Sequence, residues 1–169
     1  MSAGKDPGAE LVDVVDAGNR VVGTVTRREM RARRLPHRST YILVFDRAGR
    51  LFVHLRTATK DVWPSHWDVC VGGVLAAGES YDEGAARELA EEIGVAAPLE
   101  RLFPFSWEDA TTIVHGVAYR AVHDGPFRLQ PEEVVRGELV PVDEVFARAA
   151  REPFCPDGLE VLARWRAGT

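Results

Sequence analysis

Glu88, Glu91 and Glu92 lie three and four residues apart, and Arg87 sits directly beside them. At about 100° per residue, a helix would carry the three carboxylates on one stripe and Ala86, Leu89, Ala90 and Ile93 on a stripe roughly opposite. One face packs; the other carries charge. Like charges at these spacings cost an exposed helix about 0.2–0.5 kcal/mol per pair, so the stripe calls for a cation. Clustered carboxylate oxygens are hard ligands suited to Mg²⁺ or Mn²⁺, and Arg87 could orient one of them through a bidentate hydrogen bond. The residues alone leave a second reading open, a solvated acidic face.

A helix must carry these side chains, and its punctuation is legible at both ends. Ser80 is a good N-cap and Glu83 follows three residues later, the spacing of a capping box, so the helix is expected to start at Tyr81. Gly94 is its expected stop, with Pro98 shortly after. The wider pattern is Gly73, five residues, Glu79, seven residues, then Arg87-Glu88-Leu89-Ala90-Glu91-Glu92-Ile93-Gly94-Val95. With seven fixed residue types, its chance occurrence in a chain of this length is roughly one in a million. This is a complete Nudix box, and the sequence resembles the Nudix hydrolases.

The rest of the chain sets bounds on what surrounds the box. Its 169 residues, 46% hydrophobic and 28% charged, suit a single soluble domain, read as residues 10–169 behind a flexible tail of residues 1–9. A net charge of −5 argues against a partner that is a nucleic-acid polymer. There is no apolar leader and no long apolar run, hence no membrane partner is expected. Cys70 and Cys155 form no CxxC pair or disulfide framework, which fits a reducing cytoplasm.

Along the chain, Glu10 to Val15 and Arg20 to Val25 read as an opening hairpin, and Thr26 can cap a short helix over Arg27 to Arg34. That helix holds five arginines, a solvated face partly paired with acids or a surface for an anionic partner. Ser39 to Phe45 and Leu51 to Leu55 form a second hairpin, and the run YILVF has the continuous apolarity of a buried central strand. Arg56 to Asp68 reads as a loop and Val69 to Gly72 as a short strand. Arg101 to Trp107 and Thr112 to Val122 pair as strands, Val134 to Val140 follows, and Val142 to Ala150 and Asp157 to Arg166 close the chain as helices. Trp107 is either a stacking plate or a core residue.

The resemblance implies an α/β/α sandwich of the α+β type, a mixed β-sheet between helices. It implies Glu88, Glu91, Glu92 and the backbone carbonyl of Gly72 as metal ligands for Mg²⁺ or Mn²⁺. It gives Arg87 the task of holding Glu88 or Glu91, and Glu79 a supporting one. The implied activity is hydrolysis of a diphosphate bond in a small-molecule substrate, with Glu91, Glu133 or Glu108 as general base. Monomer and homodimer both stay open.

Outside the box, Arg56, Lys60 and the stretch Trp63-Pro64-Ser65-His66-Trp67 are similar to the isopentenyl diphosphate isomerase branch of the superfamily. That likeness implies a substrate diphosphate near Arg56 and Lys60, and His37 near the site. The Cys-Gly-His segment that isomerisation needs falls on Gly72, Gly73 and Val74, with Cys70 two residues earlier. Hydrolysis is therefore expected over isomerisation. A diphosphate-binding domain without catalysis is the third reading.

Overall fold

The computed structural model describes residues 6–168. After a single 3-10 turn, Pro7–Ala9, the chain runs β1 (Leu11–Val15), β2 (Val21–Thr26), α1 (Arg27–Ala32), β3 (His37–Phe45), β4 (Leu51–Arg56) and β5 (Trp67–Asp68). It continues through α2 (Tyr81–Ile93), β6 (Glu100–Glu108), β7 (Ile113–Val122), β8 (Val134–Val140), α3 (Val142–Ala149) and α4 (Pro156–Ala167).

The strand centred on YILVF is the hub. β3 pairs with β7 in parallel over its whole length, and it meets β1 and β4 antiparallel. The sheet is therefore mixed, as expected, with eight strands in which β2 extends β1, β5 and β8 flank β4, and β6 flanks β7. Both faces of β3 are covered. Tyr41, Leu43 and Phe45 pack with Val145 of α3 and Val161 and Leu162 of α4, whereas Ile42 and Val44 pack with Ala85, Leu89 and Ile93 of α2. A strand buried on both sides has no polar alternation, which is why this run is apolar throughout.

Helix α2 ends where its sequence says it should. Ser80 Oγ accepts from the Glu83 amide and the Glu83 carboxylate accepts from the Ser80 amide, while Gly94 takes the left-handed conformation at φ 67°.

Several boundaries differ from the expectation. The loose tail of residues 1–9 is not what residues 6–9 do: Asp6 caps the turn through the Gly8 amide and ion-pairs with Arg28 at 2.6 Å. Residues 1–5 lie outside the described residues. Helix α1 stops at Ala32, and Arg34 turns left-handed at φ 50°. The expected strand Val69 to Gly72 shrinks to β5 upstream and isolated bridges of Val71 to Ile42 and Val74 to Ser39. Gly72 explains the break, with φ 147° and an approach to β3 so close that a Cβ would stand 2.1 Å from the Thr40 carbonyl oxygen.

Candidate functional site

The acidic face of α2 and the Gly72–Gly73 strand end make one wall of a cleft of about 810 Å³, with Lys60 and Glu133 also in its lining. The break at Gly72 brings backbone against the helix. A Cβ on Gly73 would stand 3.0 Å from a Glu88 carboxylate oxygen, so glycine is what lets Glu88 lie along the strand end.

Arg87 organises the helix side. Its Nε and Nη2 donate to the two Glu79 oxygens at 2.7 and 2.9 Å, and its Nη1 donates to Glu88 at 2.8 Å and Glu91 at 3.2 Å. Burial pushes Glu79 up, but the Arg87 hydrogen bonds and the Ala76 amide outweigh it and leave the carboxyl below its ordinary value. Glu88 moves the other way, raised by burial despite Arg87.

Glu92 is the odd member. Only 4% exposed, it has no cation in ion-pair contact among the described residues, and burial pushes its carboxyl up to about 8 in spite of the nearby Lys60. A buried carboxylate without a counter-charge is costly.

This donor set suits a hard divalent ion in chemistry and position: oxygen ligands only, clustered beside a backbone turn, with Glu92 short of positive charge. The arrangement differs from the expected ligand cluster in one respect. Glu88 and Glu91 both turn to Arg87, and among the described residues no three ligating side chains converge on one point.

The expected diphosphate clamp of Arg56 and Lys60 is arranged differently from the sequence reading. Each Arg56 nitrogen has a protein partner: Nε the Trp63 carbonyl at 3.2 Å, Nη2 the Val62 carbonyl at 2.8 Å, and Nη1 Asp68 at 3.3 Å. Two loop carbonyls and Asp68 of β5 surround this guanidinium, so Arg56 holds the loop rather than reaching into the cleft. Lys60 does reach it, and its ammonium ion-pairs with Glu133.

Other candidates sort by position. Glu108 pairs with Arg34 at 3.0 Å and is not part of the cleft lining. Trp107 donates to Asp109 at 2.7 Å and packs against the core. His37 is fully buried and held near pKa 4 by burial and Arg31; its Nδ1 donates to the Leu35 carbonyl at 2.9 Å. Cys70 is buried, and burial raises its thiol well above the usual range. Asp61 escaped the sequence reading, although Arg27 and Arg31 both grip it at 3.3 and 3.0 Å; its partners lie 30 or more positions upstream and no local motif links them.

A profile of the NUDIX domain matches residues 35–164. The chain belongs to the Nudix family. A Nudix hydrolase of Streptomyces coelicolor is 43% identical over 162 residues, covering 94% of this chain and 89% of that protein. The Nudix hydrolase YfcD of Escherichia coli is 41% identical over 157 residues, 92% of this chain and 86% of the relative. A crystal structure from Deinococcus radiodurans, 28% identical, superposes with a TM-score of 0.81 over 92% of this chain and 98% of that one. As a Nudix hydrolase, the protein is an enzyme of the class that acts on pyrophosphate bonds. No helix among the described residues is long and apolar enough to cross a membrane.

Proposed function

We propose that this Nudix hydrolase uses Mg²⁺ or Mn²⁺ to cleave the diphosphate bond of a small molecule by attack of water on phosphorus. The observation that carries the reading is the pairing in the cleft, where among the described residues Arg87 alone is in ion-pair contact with Glu79, Glu88 and Glu91, and Glu92 has no ion-pair partner.

In this reading Glu88, Glu91, Glu92 and the Gly72 carbonyl hold the ion, with Glu88 and Glu91 swinging off Arg87. Bound there, the ion would offset charge on the phosphate oxygens and lower the pKa of a coordinated water. Arg87, anchored by Glu79, keeps the helix face in register while its other partners rotate. The water oxygen bonds to phosphorus, the bridging P–O bond breaks, and a carboxylate takes the water's proton. Glu91 and Glu133 line the cleft and compete for that task. A Glu133→Gln protein with reduced kcat and unchanged metal affinity assigns the base to Glu133; an unchanged kcat returns it to Glu91.

Isomerisation fits less well, because Cys70 is buried with a thiol pushed far from ionisation. Two free buried thiols agree with a reducing cytoplasm, which we propose as the compartment. Phosphorus NMR of a panel of nucleotide, nucleotide-sugar, coenzyme and isoprenoid diphosphates with Mg²⁺, with Glu92→Gln as control, tests the proposal. Cleavage by the native enzyme alone supports it, and intact compounds across the whole panel reject it.

A further inference from the structure

Next to the acidic cleft, against the same two glycines, lies a second and much smaller cavity of about 70 Å³. Arg27, Lys60, Gly72 and Gly73 line both cavities, so a molecule in the cleft has the small cavity at its flank. At roughly 10–15 Å³ per water, there is room for about five to seven waters. Such a space suits a compact group of the size of a phosphate.

Two polar groups in the cavity wall lack a partner among the described residues. Thr40 and Trp63 line it, and the Thr40 hydroxyl and the Trp63 indole N–H are both buried without a partner. Thr40 is 2% exposed. They account for two of the three such side-chain atoms among the described residues. Unpaired buried donors are costly, and two of them in one cavity call for an acceptor from outside.

The local carboxylates are already engaged. Asp68 accepts from Arg56 at 3.3 Å and from the Cys70 amide at 3.0 Å; Asp157 accepts from the Tyr41 hydroxyl at 2.9 Å and the Gly158 amide at 3.0 Å. Lys60 is paired with Glu133, but Arg27 and Arg31 share the single carboxylate of Asp61, which leaves the cavity wall one guanidinium in excess at that point. Trp63 is held in place at a cost. Its φ of 51° is unusual for a bulky residue, and Arg56 fixes it by binding the carbonyls of Val62 and Trp63.

We infer that the small cavity receives the terminal phosphate of the substrate. The enzyme then acts on diphosphate monoesters, with one organic group and one free phosphate end, and not on compounds with an organic group at both ends. Each turnover consumes one water and releases a monophosphate ester and orthophosphate. Thr40 and Trp63 are specificity-determining residues, and Arg56 is a positioning residue acting through the loop. The inference rests on the hydrolase reading, and its test separates the two.

Two measurements decide it. With Mg²⁺ present, kcat/KM for ADP and isopentenyl diphosphate is compared with that for ADP-ribose and NAD. Calorimetry then measures binding of methylenediphosphonate, which carries no organic flank, to the native enzyme, Thr40→Val and Trp63→Phe. The expected results are at least tenfold preference for a monoester and about tenfold weaker binding in each variant, with melting temperatures unchanged or raised, because each change deletes an unpaired donor. Equal or faster cleavage of ADP-ribose or NAD overturns the inference and leaves the hydrolase standing. Absence of all turnover rejects the hydrolase reading, and calorimetry still judges the cavity: undiminished binding in both variants overturns it.

Discussion

The chain carries two dense runs of like charge, the arginines around α1 and the glutamates of α2, and they end in opposite states. Arg28 finds Asp6, Arg33 finds Glu29, Arg34 finds Glu108, and Arg27 and Arg31 share Asp61. Every arginine of that run meets an acid. The glutamate run has a single internal cation, and Glu92 is sealed away from any ion pair among the described residues. Density of charge is thus a poor mark of a site; charge that the protein leaves uncompensated is a better one.

Variants at four positions press on this contrast. The largest effect is expected from Glu92→Gln, which keeps shape and removes charge: kcat should fall by about 10²–10³-fold in the Mg²⁺-loaded enzyme with the fold intact by circular dichroism. A near-native rate would make the acidic run as structural as the basic one. Arg87→Ala should lower kcat by roughly 10–100-fold, since it frees Glu79, Glu88 and Glu91 to repel one another. Arg87→Lys should recover only part of that loss, as a single ammonium cannot reproduce the paired contact with Glu79.

Asp61→Asn probes the basic side. Burial works to raise the Asp61 carboxyl, but Arg31 and Arg27 overcome it and hold the group well below the usual carboxylate range. A depressed folded pKa contributes stability above the unfolded value, near 4, and loses it as pH falls further. Because the side chain is about a third exposed, urea melts at pH 7 should register about 1–2 kcal/mol, shrinking below pH 4. The smallest effect belongs to Arg33→Ala, expected within about 0.5 kcal/mol in stability and without change in kcat. A loss of activity there would break the contrast from the other side.

What could be read beforehand followed the range of the physics. The capping box, the glycine stop and the two-sided burial of YILVF are local rules, and α2 and β3 obey them. The mixed sheet followed from the family resemblance. For Arg56 the three-residue gap suggested a pair with Lys60, whereas only the loop's three-dimensional course shows its guanidinium held by two carbonyls and Asp68 at the edge of the small cavity. Residues 6–9 looked like a tail because their anchor, Arg28, lies 22 positions away. The unpaired donors of Thr40 and Trp63 were invisible for the same reason, since being without a partner is a property of the assembled interior.

The parallel pairing of β3 with β7 bears on how the protein acquires its activity. His37 meets Val114 and Phe45 meets Val122, each 77 positions further along, so α2 and the whole Gly72–Gly73 segment lie within the loop this ladder closes. Contacts so distant in sequence are entropically slow to form. Helical signal from α2 can return early on refolding from urea, but hydrolysis should return only with the central ladder.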